Sequence, residues 1–113
     1  MEELTVREYD IGDKWVIEPA GEINVLNIQP FRDAVAKLSN INKDAVVDLR
    51  KVFYIDSAAI EKLVVARNHL NRQGRKLIVL VEPGKQPHHV LEAIALHTFA
   101  ILATSAAEAG LED

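Results

Sequence analysis

Val46-Val47-Asp48-Leu49-Arg50-Lys51-Val52-Phe53-Tyr54-Ile55-Asp56-Ser57-Ala58-Ala59-Ile60 is the stretch on which the reading of this chain turns. It starts as a buried strand, breaks into a turn, and opens an amphipathic helix at an Asp-Ser pair. Such a turn brings polar side chains and unpaired backbone N–H groups to the surface beside a rigid scaffold. The two alanines after the pair matter as much as the pair itself.

The strand half is short, β-branched and apolar from residue 45 to 49, as a central strand of a parallel sheet is. The helix half runs from Ser57 to about Arg72, with Ile60, Leu63, Val64, Arg67 and Leu70 at three- and four-residue steps. Gly74 ends it, and Arg72, Arg75 and Lys76 lie near the negative end of its dipole. Residues 77–81 are five consecutive aliphatics, a second buried strand.

Farther out the signals are shorter. Residues 4–9 alternate apolar and polar, with Leu4 and Val6 on one face. After the turn at 11–14, residues 15–19 read as a second strand antiparallel to the first, ended by Ala20-Gly21-Glu22. Asn27 is placed to cap a helix whose apolar positions are Phe31, Val35 and Leu38, with Pro30 tolerated in the first turn. Residues 39–43 form a loop. Residues 82–87 form another, followed by a helix over 88–96 and a short strand over 99–102. Thr104 then caps a last helix through Ala109. The order β-β-α-β-α-β-α-β-α requires crossover connections. The expected fold is therefore α/β: a mostly parallel sheet with an antiparallel N-terminal edge hairpin and about four helices.

Bulk properties narrow the function. The 113 residues favour a single domain over 1–113. With 49% hydrophobic and only 5% aromatic residues, aliphatic side chains and alanine fill the core. The net charge of −4 disfavours nucleic acid, whose binding rests on phosphate neutralisation. There is no cysteine, hence no disulfide and no thiolate metal site. Met1-Glu2-Glu3-Leu4 lacks the basic start and apolar run of a signal peptide, and no apolar run approaches a membrane span of about 20 residues. A cytoplasmic protein without direct membrane insertion is the expectation.

Two readings compete at Asp56-Ser57. As a cap, either side chain accepts from the free N–H groups of the helix, worth about 1 kcal/mol. As a recognition site, a helix start attracts phosphate or a partner's carboxylate, and a phosphorylated serine there would switch partner affinity. Both hold at once without conflict.

The order of strands and helices, Gly21-Glu22-Ile23-Asn24 and Asp56-Ser57 together resemble a STAS domain over residues 4–108. These are the bacterial anti-sigma factor antagonists and the tail domains of sulfate transporters. The resemblance implies a Gly-Glu-(Leu/Ile/Val)-Asp motif after the second strand and an Asp-Ser-(Ser/Thr)-Gly motif opening the helix after the next. In that family the hydroxyl residue before the glycine is phosphorylated by an anti-sigma factor kinase. Here that acceptor position is Ala58, the glycine position is Ala59, and Asn24 stands where the family has a carboxylate. Alanine accepts no phosphoryl group, and it favours helix over glycine by about 1 kcal/mol. Ser57 is a poor substitute, because one helical residue rotates a side chain by about 100 degrees.

The resemblance thus implies a non-catalytic, transcription-regulating partner-switching protein that is not phosphorylated at 58. Its partner surface would be Asn24, Asp56, Ser57, Ala58 and Glu61, and its partner an anti-sigma factor kinase. An alternative is the regulatory STAS subunit of an ABC-type lipid transport ATPase. A second alternative is a small enzyme or nucleotide-binding protein using residues 82–89 or the helix start at 56.

Other constellations point to bland roles. His88, His89 and His97 lack a carboxylate or cysteine to complete a metal set, and the two adjacent histidines should point to different helix faces. No metal or other cofactor is expected. Gly84-Lys85 lacks the second glycine and the Ser or Thr of a phosphate-binding loop. Ser57, His88 and either Asp48 or Asp56 could be written as a triad, but no Gly-x-Ser-x-Gly elbow presents the serine. Arg67, Arg72, Arg75 and Lys76 could attract anions, although dipole-complementary charges at a solvated helix end are commoner.

Overall fold

A computed structural model describes residues 3–96 and 100–111. The chain begins with a hairpin of β1 (Thr5–Ile11) and β2 (Lys14–Ile23), antiparallel from Thr5↔Ala20 to Ile11↔Lys14. Then follow α1 (Gln29–Ala36), a single 3-10 turn (Lys37–Asn40), β3 (Asp44–Asp48), β4 (Val52–Ile55) and α2 (Ser57–Asn71). The chain finishes with β5 (Leu77–Leu80), α3 (Gln86–Ala93) and β6 (Ile101–Ala103). The sheet order is β1-β2-β3-β5-β6, all neighbours parallel except β1 and β2.

The strands alternate faces residue by residue, and the two cores follow from that. Ile17, Val47 and Val79 point to the face that carries all three helices, where they meet Phe31, Val35, Leu63, Leu70 and Leu91. Each such large side chain contributes about 1.5–3 kcal/mol by leaving water. Val16, Val46, Ile78 and Leu80 point the other way, where they pack with Ala109 and with the half-buried Tyr9, Ile11 and Leu111. Farther along that second face sit two buried carboxylates. Glu18 accepts from Arg7 at 2.9 Å and Lys51 at 3.4 Å, and Asp48 takes the Arg50 guanidinium bidentately at 3.0 and 2.9 Å. Beside them, burial and then the charges of Glu18 and Asp48 hold the Tyr9 hydroxyl above its ordinary pKa.

Several sequence expectations need correction. The turn expected over 50–56 contains β4. Val52 N–H donates to Leu49 O at 2.9 Å, closing a turn, and the chain then resumes alongside the far end of β2. β2 accordingly does not stop at Ala20-Gly21-Glu22. It pairs with β3 up to Ile17 and with β4 from Gly21, where the register shifts. Gly21 has φ +113°, a conformation that L side chains rarely adopt. Gly21 N–H donates to Lys51 O, so by the two-residue period Pro19 nitrogen faces the gap between β3 and β4, where no donor is required.

Asn27 is not the cap of α1. Ile28 holds that position without a side-chain hydrogen bond. The last helix is absent: residues 104–111 form turns in which Thr104 and Glu108 bond each other, leaving three α-helices and the 3-10 turn among the described residues. α3 starts at Gln86 rather than His88 and ends at Ala93. β6 spans Ile101–Ala103; the expected start of that strand at Phe99, and His97, lie outside the described residues.

α2 ends as its sequence indicates. Arg72 is the C-cap, Gly74 takes φ +70°, and Arg75 N–H donates back to Leu70 O at 2.8 Å.

Candidate functional site

Two segments meet at the end of the sheet where β2 and β4 finish. One is the loop 24–28 after β2, and the other is the start of α2. Parallel strands deliver loops to this end of a sheet, and sites form there.

Asp56 joins them. It is half-buried and holds extended backbone as the N-cap of α2. One carboxylate oxygen accepts from Ala59 N–H at 3.1 Å, and the other accepts from Val25 N–H at 3.0 Å. The capping role read from sequence is therefore present, and the same side chain also ties down the other loop.

Asn24 organises that loop from within. Its Oδ1 accepts from Leu26 N–H at 2.9 Å and Asn27 N–H at 3.2 Å, while its Nδ2 donates to Glu22 Oε2 at 2.7 Å. Asn27 closes the circuit: its Oδ1 accepts from Asn24 N–H at 2.9 Å and its Nδ2 donates to Glu22 O at 2.8 Å. Asn24 needs both an acceptor and a donor here. An aspartate would set its charge against Glu22. The loop so held turns Val25 and Leu26 outward, at 65% and 90% exposure.

At the helix start, Ser57 is exposed, Ala58 is half-buried against the core, and the Ala59 methyl is buried within it. Glu61 is exposed one turn on, 3.9 Å from Lys62. The structure therefore brings Asn24, Asp56, Ser57 and Ala58 to one end of the sheet, with Glu61 one turn along α2. Sequence reading missed Val25, Leu26 and Asn27. Two exposed aliphatics in a loop were the available signal for the first two; Asn27 carried a capping signal that the loop uses instead.

Gln86 supports the site from α3. Its side-chain amide donates to Ile55 O and accepts from Ile55 N–H, both at 2.9 Å, one residue before Asp56.

The histidines do not behave as expected from a helical wheel. The His88 and His89 rings stack, centroids 5.9 Å apart, because both reach back to Gly84. Gly84 N–H donates to His88 Nδ1 at 3.2 Å, and His89 Nε2 lies 3.0 Å from Gly84 O. His88 Nε2 lies 3.3 Å from Glu92. Among the described residues, no three side chains gather as metal ligands. Lys85 donates to Arg50 O at 3.3 Å, a link between loops. Among the described residues, no helix is long and apolar enough to cross a membrane.

Comparison with known proteins gives a consistent picture. The model of the STAS domain family matches residues 6–109. A STAS-domain containing protein of Pseudomonas aeruginosa is 30% identical over 66 residues, which is 58% of this chain and 65% of that protein's length. The crystal structure of an anti-sigma factor antagonist from Mycobacterium paratuberculosis superposes with a TM-score of 0.84 at 16% identity, covering 98% of this chain and 96% of that one. A candidate anti-sigma factor antagonist of Thermotoga maritima gives 0.81 at 21% identity, covering 93% and 91%.

Proposed function

The chain belongs to the STAS domain family, and from that premise we propose that it is a non-catalytic regulatory module that binds another protein, in the manner of an anti-sigma factor antagonist. The binding surface is the end of the sheet built by Asn24, Asp56, Ser57, Ala58 and Glu61, widened by Val25 and Leu26. The observation that carries the reading is the double engagement of Asp56, which holds the 24–28 loop against the start of α2. A surface fixed before binding loses little conformational entropy on association.

Phosphoryl control at the usual position is absent in this reading. Ala58 has no acceptor, and Ala59 sits with its methyl in the core. The helix start is rigid, and the protein is a constant binder of its partner. The partner is an anti-sigma factor kinase, and the compartment is the cytoplasm.

Affinity capture from the native host tests the partner. Recovery of a kinase-like anti-sigma factor, lost with Leu26→Asp, supports the reading; recovery of a transport ATPase with its permease replaces it with the transporter-subunit alternative. Incubation with the captured kinase and ATP tests the missing switch. Intact mass should be unchanged for the natural chain and raised by one phosphoryl group for Ala58→Ser. A phosphoryl group on Ser57 of the natural chain would overturn the constant-binder reading.

A further inference from the structure

The far end of α2, about 20 Å along the helix axis from Asp56, carries a cavity that the partner surface does not use. It is a recess open to solvent, of about 360 Å³, within the range of small-molecule sites. Its walls are Arg67, Asn71, Arg75 and Lys76, and its apolar side is Leu77, Ala100 and Ile101.

Charge pairing is part of what marks this cavity. Several cations of this acidic chain meet carboxylates: Arg7 with Glu18 at 2.9 Å, Lys37 with Glu8 at 3.0 Å, Lys43 with Asp10 at 2.8 Å, Arg50 with Asp48 at 2.9 Å. Arg75 and Lys76 have no carboxylate partner among the described residues. The nearby Asp44 spends an oxygen on the Lys76 backbone N–H at 2.9 Å. The Arg75 guanidinium is fixed from one side, where its Nη2 donates to Asn42 Oδ1 at 3.0 Å. Its Nε is buried and has no hydrogen-bond partner. A buried donor without an acceptor costs about 1–3 kcal/mol, more when charged. Dipole complementarity accounts for cations at a helix C-terminus. It does not account for a guanidinium with an unsatisfied donor and an unpaired ammonium among the residues lining one cavity with an apolar side.

We propose that this cavity binds a small organic phosphate, a phosphate monoester with an apolar body. A monoester dianion of about −1.5 to −2 charge matches the two unpaired cations, and guanidinium geometry suits phosphate oxygens. Leu77, Ala100 and Ile101 receive the apolar part; Ile101 is 44% exposed.

Titration of the isotope-labelled full chain, followed by amide chemical shifts, tests the assignment with three probes: phenyl phosphate, inorganic phosphate and benzoate. Phenyl phosphate should give saturable shifts at Asn71, Arg75, Lys76, Leu77 and Ile101, and bind about tenfold tighter than either other probe, a difference of about 1.4 kcal/mol. Inorganic phosphate binding as tightly would overturn the apolar subsite, and benzoate binding as tightly would overturn the phosphate assignment. Arg75→Gln and, separately, Lys76→Gln should each weaken phenyl phosphate about tenfold with the remaining spectrum unchanged. Lys76 is exposed and keeps the test valid if loss of the Asn42 bond unfolds the Arg75 variant. No saturation by about 10 mM, shifts confined to other faces, or unchanged affinity in Lys76→Gln overturns the proposal. Because the cavity and the partner surface occupy opposite ends of α2, failure here leaves the partner-binding reading standing, and the reverse.

Discussion

Replacing Asp56 separates its two jobs, and the structure states how much each is worth. In Asp56→Ala both acceptors vanish. Loss of the cap on Ala59 N–H costs about 1 kcal/mol. Loss of the bond from Val25 N–H costs about 0.5–1 kcal/mol, the low end for a hydrogen bond, because water reaches Val25 once it is freed. The sum is about 2 kcal/mol. At about 4 °C per kcal/mol for a domain of this size, Tm falls by about 8 °C. Asp56→Asn keeps one acceptor oxygen, and asparagine caps helices as well as aspartate does. It should retain the cap, lose the tie to Val25, and cost about half as much. Urea unfolding at constant m gives both values. Amide exchange then assigns them: Val25 should lose protection in both variants, Ala59 only in the alanine variant. Equal losses in the two variants, or a loss under about 0.5 kcal/mol in the alanine variant, would refute the division of labour assigned to the two oxygens.

Three further outcomes are expected. Gln86→Ala should cost about 1–3 kcal/mol in thermal or urea unfolding, because both polar groups of Ile55 lose their partner. Asn24→Asp should lower stability at pH 7 by about 1 kcal/mol, through repulsion from Glu22 and loss of a donated bond; urea unfolding of the two chains side by side reads the difference, and an unchanged midpoint would contradict the circuit around Glu22. The folded state holds the Tyr9 hydroxyl above its ordinary value of 10.0, so its contribution is intact below pH 10 and fades as pH climbs through the raised value; Tyr9→Phe should therefore flatten the alkaline limb of the stability curve, and an unchanged limb would contradict the assigned burial.

What the sequence disclosed followed from the strength of each local signal. The apolar runs at 45–49 and 77–81 and the period of α2 are long or pure enough to survive any context, and Asp56 lies at the boundary that such a helix demands. β4 was hidden because it breaks the two-residue pattern: Val52 and Ile55 are buried while Phe53 and Tyr54 between them are exposed. Its burial is dictated by α3 and the bulged end of β2, neither of which is local. Asn27 carries a capping signal that is correct in chemistry and wrong in target, since its side chain closes the loop before it. Thr104, Ser105 and Glu108 hold a turn by the same kind of bond that starts a helix, and the segment goes no further. That the two motifs meet at one end of the sheet was legible from their order; the hydrogen-bond circuit among Glu22, Asn24 and Asn27 required coordinates.

The bond between Gln86 and Ile55 also bears on how a partner can approach. An edge strand invites an extended peptide to add itself to the sheet. At Ile55 that place is taken, because a side-chain amide presents the same donor and acceptor that a neighbouring strand would. An incoming backbone would have to evict Gln86 first. Recognition at this end of the molecule is thereby steered away from strand addition, which reads little sequence, toward side chains meeting side chains.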